Sequence, residues 1–411
     1  MRNTSNSEQT ANNIAHYIPE LASQLPWKRA VVFPQGTDAK GRVAYTHLTF
    51  GGLEVLSSRY AHGLRAVGVE RGMKTLLMVR PSLDFFALTF AIFKIGAVPI
   101  FIDPGMGWGS FLKCVAQVAP TAFLGIPAAH VLRLLRPASF RSVKIKITLG
   151  RKLFWGGWSV DSLPGESGPF PVQPVAPEDT AAILFTTGST GPAKGVTYTH
   201  RIFTTQTEIL RSEYGIGPDD VDLPCFPLFA LFSTALGATA VIPDMDPSRP
   251  AHVDPERIIR PILDQGVTYS FGSPTLWANV SKYCEAHGIT LPSVTRIIMA
   301  GAPVPAYVHA RLLNSVLPPG AQTYTPYGAT ESLPVANFTG REMLEETSEQ
   351  TRAGGGMCVG VPLDGVCCRI IKIDDEPIGN WSDTQPVEDG HIGEICVKGA
   401  VVTREYHALP E

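Results

Sequence analysis

Apolar positions along the chain alternate between the two periods that separate helices from strands. The first dozen residues are polar and predict a disordered tail over 1–12; an amphipathic helix is predicted from about Ile14. Leu53, Leu56, Tyr60 and Leu64 recur at helical spacing, which predicts a helix over roughly 51–66 with Gly68 as its stop. A continuous apolar run at 75–79 has strand length. A helix over about 83–95, a strand over 98–102 and a turn at Asp103-Pro104-Gly105 follow it. Strand, helix, strand at that spacing is a βαβ unit and implies a parallel sheet. After a Pro-rich stretch, 164–177, short buried strands are predicted at 181–185 and 196–199, with further βα alternation through 267–271, 296–300 and 323–326. From Gly354 onward the texture changes to Gly- and Pro-punctuated short strands, such as 367–373 and 393–398. The fold class read from this pattern is α/β, with layered α/β sheets and a smaller β-rich subdomain. The expected division is a first α/β subdomain over 13–180, a second over 181–350 and the β-rich subdomain over 351–411.

Composition changes this picture in three places. A length of 411 residues calls for two or three packed units. Thirty-four Lys and Arg against 37 Asp and Glu leave a net charge of −3, which lacks the basic excess of a nucleic-acid binder. The 7 cysteines form no C-x-x-C pair, which argues against a zinc site and for buried, reduced thiols. The N-terminus lacks the apolar core of a signal peptide. The most membrane-like stretch, 85–102, carries Lys94 in its middle and reads better as a buried helix and strand. The chain is accordingly expected to be cytoplasmic.

The chemistry concentrates in Thr186-Thr187-Gly188-Ser189-Thr190-Gly191-Pro192-Ala193-Lys194-Gly195-Val196. Glycines let successive N–H groups converge on an anion, hydroxyls add donors, and Lys194 supplies a compact positive charge for a polyphosphate. A flexible linker is the competing reading, and buried strands on both flanks count against it. The motif is not a Walker A loop, because Ala193 precedes Lys194 and Gly195 follows it. Neither a dinucleotide fingerprint nor a G-x-S-x-G elbow is present.

This loop resembles the phosphate-binding loop of the adenylate-forming superfamily of acyl-CoA synthetases, luciferases and peptide-synthetase adenylation domains, with Pro192 one place earlier than usual. Tyr327-Gly328-Ala329-Thr330-Glu331 resembles the family's Y-G-x-T-E segment, and Gly301-Ala302-Pro303 resembles the turn beside adenine and the acyl group. Val359-Gly360-Val361-Pro362, Gly393-Glu394-Ile395 and Glu405-Tyr406 match later family segments. The resemblance implies ATP and Mg²⁺ as cofactors. It implies an ATP site formed by Thr186, Thr187, Gly188, Ser189, Thr190, Gly191, Lys194, Gly301, Ala302, Pro303, Tyr327, Gly328 and Thr330. Lys194, Thr330 and Glu331 would be catalytic, with Glu331 holding the metal. It also implies that the ribose-binding Asp, the hinge and the adenylation Lys of the family's small C-terminal domain lie beyond Glu411.

The segment Pro227-Leu228-Phe229-Ala230-Leu231-Phe232-Ser233 resembles the family's gate, with Ala230 where His is common. Phe226, Phe229, Ala230, Phe232 and Gly301 are the candidate substrate pocket; a purely structural aromatic core is the alternative. Tyr269-Ser270-Phe271-Gly272-Ser273 offers no Asp for a substrate amine, which favours a fatty substrate. The loop and the gate together are most similar to the β-lactone synthetases of bacterial olefin biosynthesis. That resemblance implies a long-chain 2-alkyl-3-hydroxy fatty acid as substrate, with an acyl-CoA synthetase or a nucleotide-binding module without turnover as the alternatives. Between Gly105 and Val160 there is no Asp or Glu, while Lys113, Arg133, Arg136, Arg141, Lys144, Lys146, Arg151 and Lys152 accompany Phe154, Trp155 and Trp158. A membrane surface or an olefin-pathway protein is the candidate partner for this 133–158 segment, against a merely solvated basic face.

Overall fold

The computed structural model describes residues 12–186, 193–374, 376 and 378–408. The tail expected to be disordered lies outside this set up to residue 11, and Asn12 sits in a turn.

The most apolar stretch folds as the sequence implies. Ser82 accepts a hydrogen bond from the Phe85 N–H and starts the helix Leu83–Ile95, and Gly96 ends it at φ +74°, where a side chain would be strained. The helix is buried all round, so it lies between layers rather than on a surface. Lys94 is fully buried, and its ammonium group donates to Glu54 Oε2 at 2.7 Å and Ser58 Oγ at 2.9 Å. Burial lowers the Lys94 pKa, and Glu54 opposes the shift. Ser58 also accepts from the Phe170 N–H, which fastens the Pro-rich stretch to the same core. Glu54→Ala is therefore expected to destabilise the protein by about 3–5 kcal/mol, since it strands a buried charge. Urea unfolding measures this, and an unchanged midpoint would remove Lys94 from the stabilising core.

Two seven-stranded sheets dominate the architecture. One runs in the order Trp158–Ser159, Ile145–Thr148, Ala122–Gly125, Lys74–Met78, Val98–Ile102, Thr180–Thr186, Lys194–Thr199. The other runs Gln322–Tyr324, Arg296–Met299, Tyr269–Gly272, Val221–Pro224, Thr239–Val241, Arg29–Thr37, Val43–Thr49. Each is parallel except for one antiparallel pair at its edge. Smaller antiparallel sheets join Tyr327–Ala329, Ser332–Asn337 and Val361–Pro362, and pair Cys367–Ile371 with Glu394–Lys398.

The expected boundary at 180/181 does not separate sheets. Thr180–Thr186 hydrogen-bonds to Val98–Ile102 in the first sheet, whereas Arg29–Thr37 and Val43–Thr49 belong to the second. The reason is parallel pairing across long sequence gaps, which leaves no local pattern to read. The thiols also differ from expectation: Cys114, Cys225 and Cys284 are buried, but Cys367 is exposed and Cys358, Cys368 and Cys396 are half-buried. No helix of the described residues is long and apolar enough to cross a membrane.

Candidate active site

The strands Thr180–Thr186 and Lys194–Thr199 form an antiparallel hairpin whose last pair is Thr186 with Lys194. The proposed phosphate loop follows Thr186 in sequence and ends at Lys194. Thr187, Gly188, Ser189, Thr190, Gly191 and Pro192 lie outside the described residues. Both flanks are anchored: Phe185 and Val196 are buried, and a side chain at Gly195 would meet the Phe185 ring at 2.6 Å. Lys194 opens a strand rather than sitting in the loop, and it is exposed.

Thr330 and Glu331 form the turn between Tyr327–Ala329 and Ser332–Asn337. The backbone is fixed there from two sides. The Tyr198 hydroxyl donates to the Thr330 carbonyl at 2.7 Å, and the Thr403 N–H donates to the Glu331 carbonyl at 2.8 Å. A side chain at Gly328 would meet the Ser332 carbonyl at 2.6 Å, so the hairpin requires glycine there. Tyr327 is 38% exposed and presents a free aromatic surface.

Tyr406 joins these two elements. Its hydroxyl donates to Glu331 Oε1 at 2.7 Å, and the Lys194 ammonium lies 4.6 Å from its ring centroid. Its own backbone bridges to Val196, and the next residue, His407, donates to the Gly195 carbonyl at 2.7 Å. The bond to Glu331, with burial second, pushes the Tyr406 phenol up to about 12, so it remains a donor at neutral pH. Sequence reasoning placed Glu405-Tyr406 in a family segment but gave Tyr406 no role; its contacts lie far away in sequence and have no local signature.

The remaining candidates collect at the carboxyl ends of four adjacent parallel strands. Phe226 follows Val221–Pro224, Ser273 follows Tyr269–Gly272, Gly301-Ala302-Pro303 follow Arg296–Met299, and Tyr327 follows Gln322–Tyr324. Open parallel sheets bind ligands at that edge. Gly301, Ala302 and Pro303 are exposed, with Gly301 at φ +91°. Across the gate, Phe229 stacks on Phe271 at 3.9 Å and 16°, and lies 5.7 Å from Phe226 and 6.0 Å from Phe232. Phe232 continues to Phe203, and Phe203 to Tyr198, whose hydroxyl holds Thr330. Ala230 is fully buried, so its methyl packs into the core beneath this row rather than lining an open surface. A separate surface cleft lined by Asp244, Asp246, Arg249, His252 and Arg257 contains none of these residues.

A family model described as AMP-binding enzyme matches residues 19–407. The chain belongs to the AMP-binding enzyme family. It is an AMP-forming ligase of the adenylate-forming type, whose members use ATP. It is 46% identical over 403 residues to an olefin beta-lactone synthetase of Stenotrophomonas maltophilia (strain K279a), covering 97% of this chain and 72% of that protein. It is 44% identical over 400 residues to one from Xanthomonas campestris pv. campestris, covering 97% and 71%. Among solved structures, a long-chain-fatty-acid-CoA ligase from Archaeoglobus fulgidus aligns with a TM-score of 0.76 at 19% identity, covering 96% of this chain and 76% of that one. The O-succinylbenzoate Coenzyme A synthetase of Bacillus subtilis in complex with AMP aligns at 0.73 and 20% identity, covering 95% and 71%. The solved structures speak to the shared layered α/β fold of this family member, and the two synthetases to its subgroup.

Proposed function

We propose that this AMP-binding enzyme activates a long-chain 2-alkyl-3-hydroxy fatty acid with ATP and closes the acyl-adenylate to a β-lactone, releasing AMP and pyrophosphate. The observation that carries this reading is the 46% identity, over 97% of the chain, to an olefin beta-lactone synthetase. The aromatic row from Phe226 to Phe271 supports an apolar substrate chain over a polar amino acid.

In the first half-reaction a carboxylate oxygen of the acid attacks the α-phosphorus, and the bond to pyrophosphate breaks. Lys194 neutralises negative charge that grows on the phosphate oxygens, and Tyr327 stacks on the adenine ring. Gly301-Ala302-Pro303 lie beside the base and the acyl group. A Mg²⁺ ion bound chiefly through nucleotide phosphates needs only one or two protein carboxylates. Glu331 fits that role, on a turn that Tyr198 and Thr403 hold in place. No group of three acidic, His or Cys side chains among the described residues offers a dedicated cage. When bound, Mg²⁺ offsets charge on the phosphates. In the second half-reaction the substrate's own hydroxyl oxygen attacks the acyl carbon and gives up its proton, and the bond to AMP breaks. Attack from within the molecule avoids the entropy cost of a second reactant.

Tyr406 is a positioning residue in this scheme. Tyr406→Phe keeps the ring over Lys194 and deletes the bond to Glu331. A hydrogen bond to a charged group is worth about 1.5–3 kcal/mol, so a roughly ten- to hundredfold slower pyrophosphate release is expected, with the melting temperature little changed. A wild-type rate would show that Glu331 needs no such support. The reaction itself is tested by mass spectrometry of products formed from Mg-ATP and the hydroxy acid.

A further inference from the structure

We propose that the face built from the helix Pro127–Leu135 and the loop before Trp158–Ser159 docks the protein on an anionic lipid bilayer. The helix buries Ala129 and His130 against the sheet and turns an apolar stripe outward. Val131 is 42% exposed, Leu134 41% and Leu135 67%, at the spacing that places them on one side of a helix. A helix covering a sheet ordinarily shows polar residues to solvent on that side.

The loop packs against the same helix. Trp155 is buried and stacks on His130 of the helix at 5.1 Å and 2°, and its Nε1 donates to Thr148 Oγ1 at 2.9 Å. This pins the loop to the helix and leaves the neighbouring Phe154 ring 83% exposed. Trp158 is 43% exposed. Large exposed rings and aliphatic tips grouped on a fixed support mark an interaction surface rather than scattered surface residues.

Charge selects the occupant. From Gly105 to Val160 the chain carries no Asp or Glu, and Arg136, Arg141, Lys144 and Arg151 are exposed. A basic excess along 105–160, next to the apolar tips and with exposed Asp161 just beyond it, matches the negative potential of an anionic leaflet, with the rings at the headgroup level. No helix of the described residues spans a membrane, so the contact is peripheral. The inference stands apart from the reaction proposed above.

The test is sedimentation of the purified protein with vesicles of phosphatidylcholine alone and of equal parts phosphatidylcholine and phosphatidylglycerol. Binding to the anionic vesicles is expected at low salt, weaker at high salt, and roughly tenfold weaker on the neutral ones. Phe154→Ser, and separately Arg136→Glu with Arg151→Glu, are each expected to weaken binding by roughly tenfold or more. All these positions are exposed, so melting temperatures are expected to hold and separate lost docking from lost folding. Absence of wild-type binding to anionic vesicles, or binding that neither variant alters, overturns the proposal. Self-association or capture of an acidic protein that Phe154→Ser abolishes, without vesicle binding, overturns it as well.

Discussion

Lys194→Ala is expected to slow acyl-adenylate formation by about 10²–10³-fold, the cost of removing one preorganised charge from a site of developing negative charge. Folding is expected to survive. Lys194 is exposed at the mouth of a hairpin whose buried residues, Phe185 and Val196, are untouched by the substitution, and exposed positions of that kind change stability by about 0.5 kcal/mol or less. Glu331→Gln is expected to fall in the same range for rate, because it deletes the charge and keeps an oxygen to accept from Tyr406. Pyrophosphate release measured beside thermal melting separates the two effects. Variants that melt like wild type and also react like wild type would remove both residues from the proposed site. A fall in both quantities would instead make Lys194 or Glu331 structural, which the exposure of Lys194 argues against.

The geometry explains why these two residues should act as a pair. They are separated by more than a hundred positions in sequence, yet one tyrosine contacts both, through its ring and through its hydroxyl. The hairpin supplies Lys194 from the edge of one large sheet, and the turn supplies Glu331 beside the carboxyl ends of the other. A site made in this way depends on how the small sheet carrying Glu331 meets the large sheet carrying Lys194, and the segment 402–407 fastens them. Its residues bond to Glu331 and Ser332 on one side and to Gly195 and Val196 on the other.

That arrangement also shows what the sequence could and could not disclose. The helix over 83–95 and the strand over 98–102 were legible because a strongly apolar run, broken only by Asp84, Thr89 and Lys94, ends at Gly96, and both take the predicted bounds. The strands Thr180–Thr186 and Lys194–Thr199 were legible as short apolar runs, predicted at 181–185 and 196–199. The hairpin Arg29–Thr37 and Val43–Thr49 was missed. Its place is set by pairing of Val31 with Ala240, more than two hundred residues away, and the strand Thr239–Val241 is three residues long. Tyr406 had no assigned role for the same reason: a tyrosine in a loop looks alike whether it faces solvent or clasps a carboxylate 75 residues earlier. The segment resembling the family's gate gave no sign of the burial of Ala230, because the short helix Ala230–Ala235 that turns its methyl inward is only six residues long.

Product formation without any external acceptor is the outcome that most sharply divides the proposed reaction from its nearest rival. An acyl-CoA synthetase must admit a thiol to the adenylate, so its turnover ceases after one adenylate when coenzyme A is withheld. A β-lactone synthetase carries the nucleophile inside the substrate, and effective molarities for well-oriented internal attack reach about 10⁵–10⁸ M. With Mg-ATP and a long-chain 2-alkyl-3-hydroxy acid, AMP and lactone are therefore expected in equal amounts through many turnovers. Addition of coenzyme A is expected to leave the rate unchanged. The corresponding acid without the 3-hydroxyl is expected to stop at a single bound adenylate, because the attacking oxygen is missing while the carboxylate is intact. Turnover of that deoxy acid on adding coenzyme A would assign the chain to the thioester-forming branch. The role of Lys194 and Glu331 would survive that result, since both serve the attack on the α-phosphorus that the two branches share.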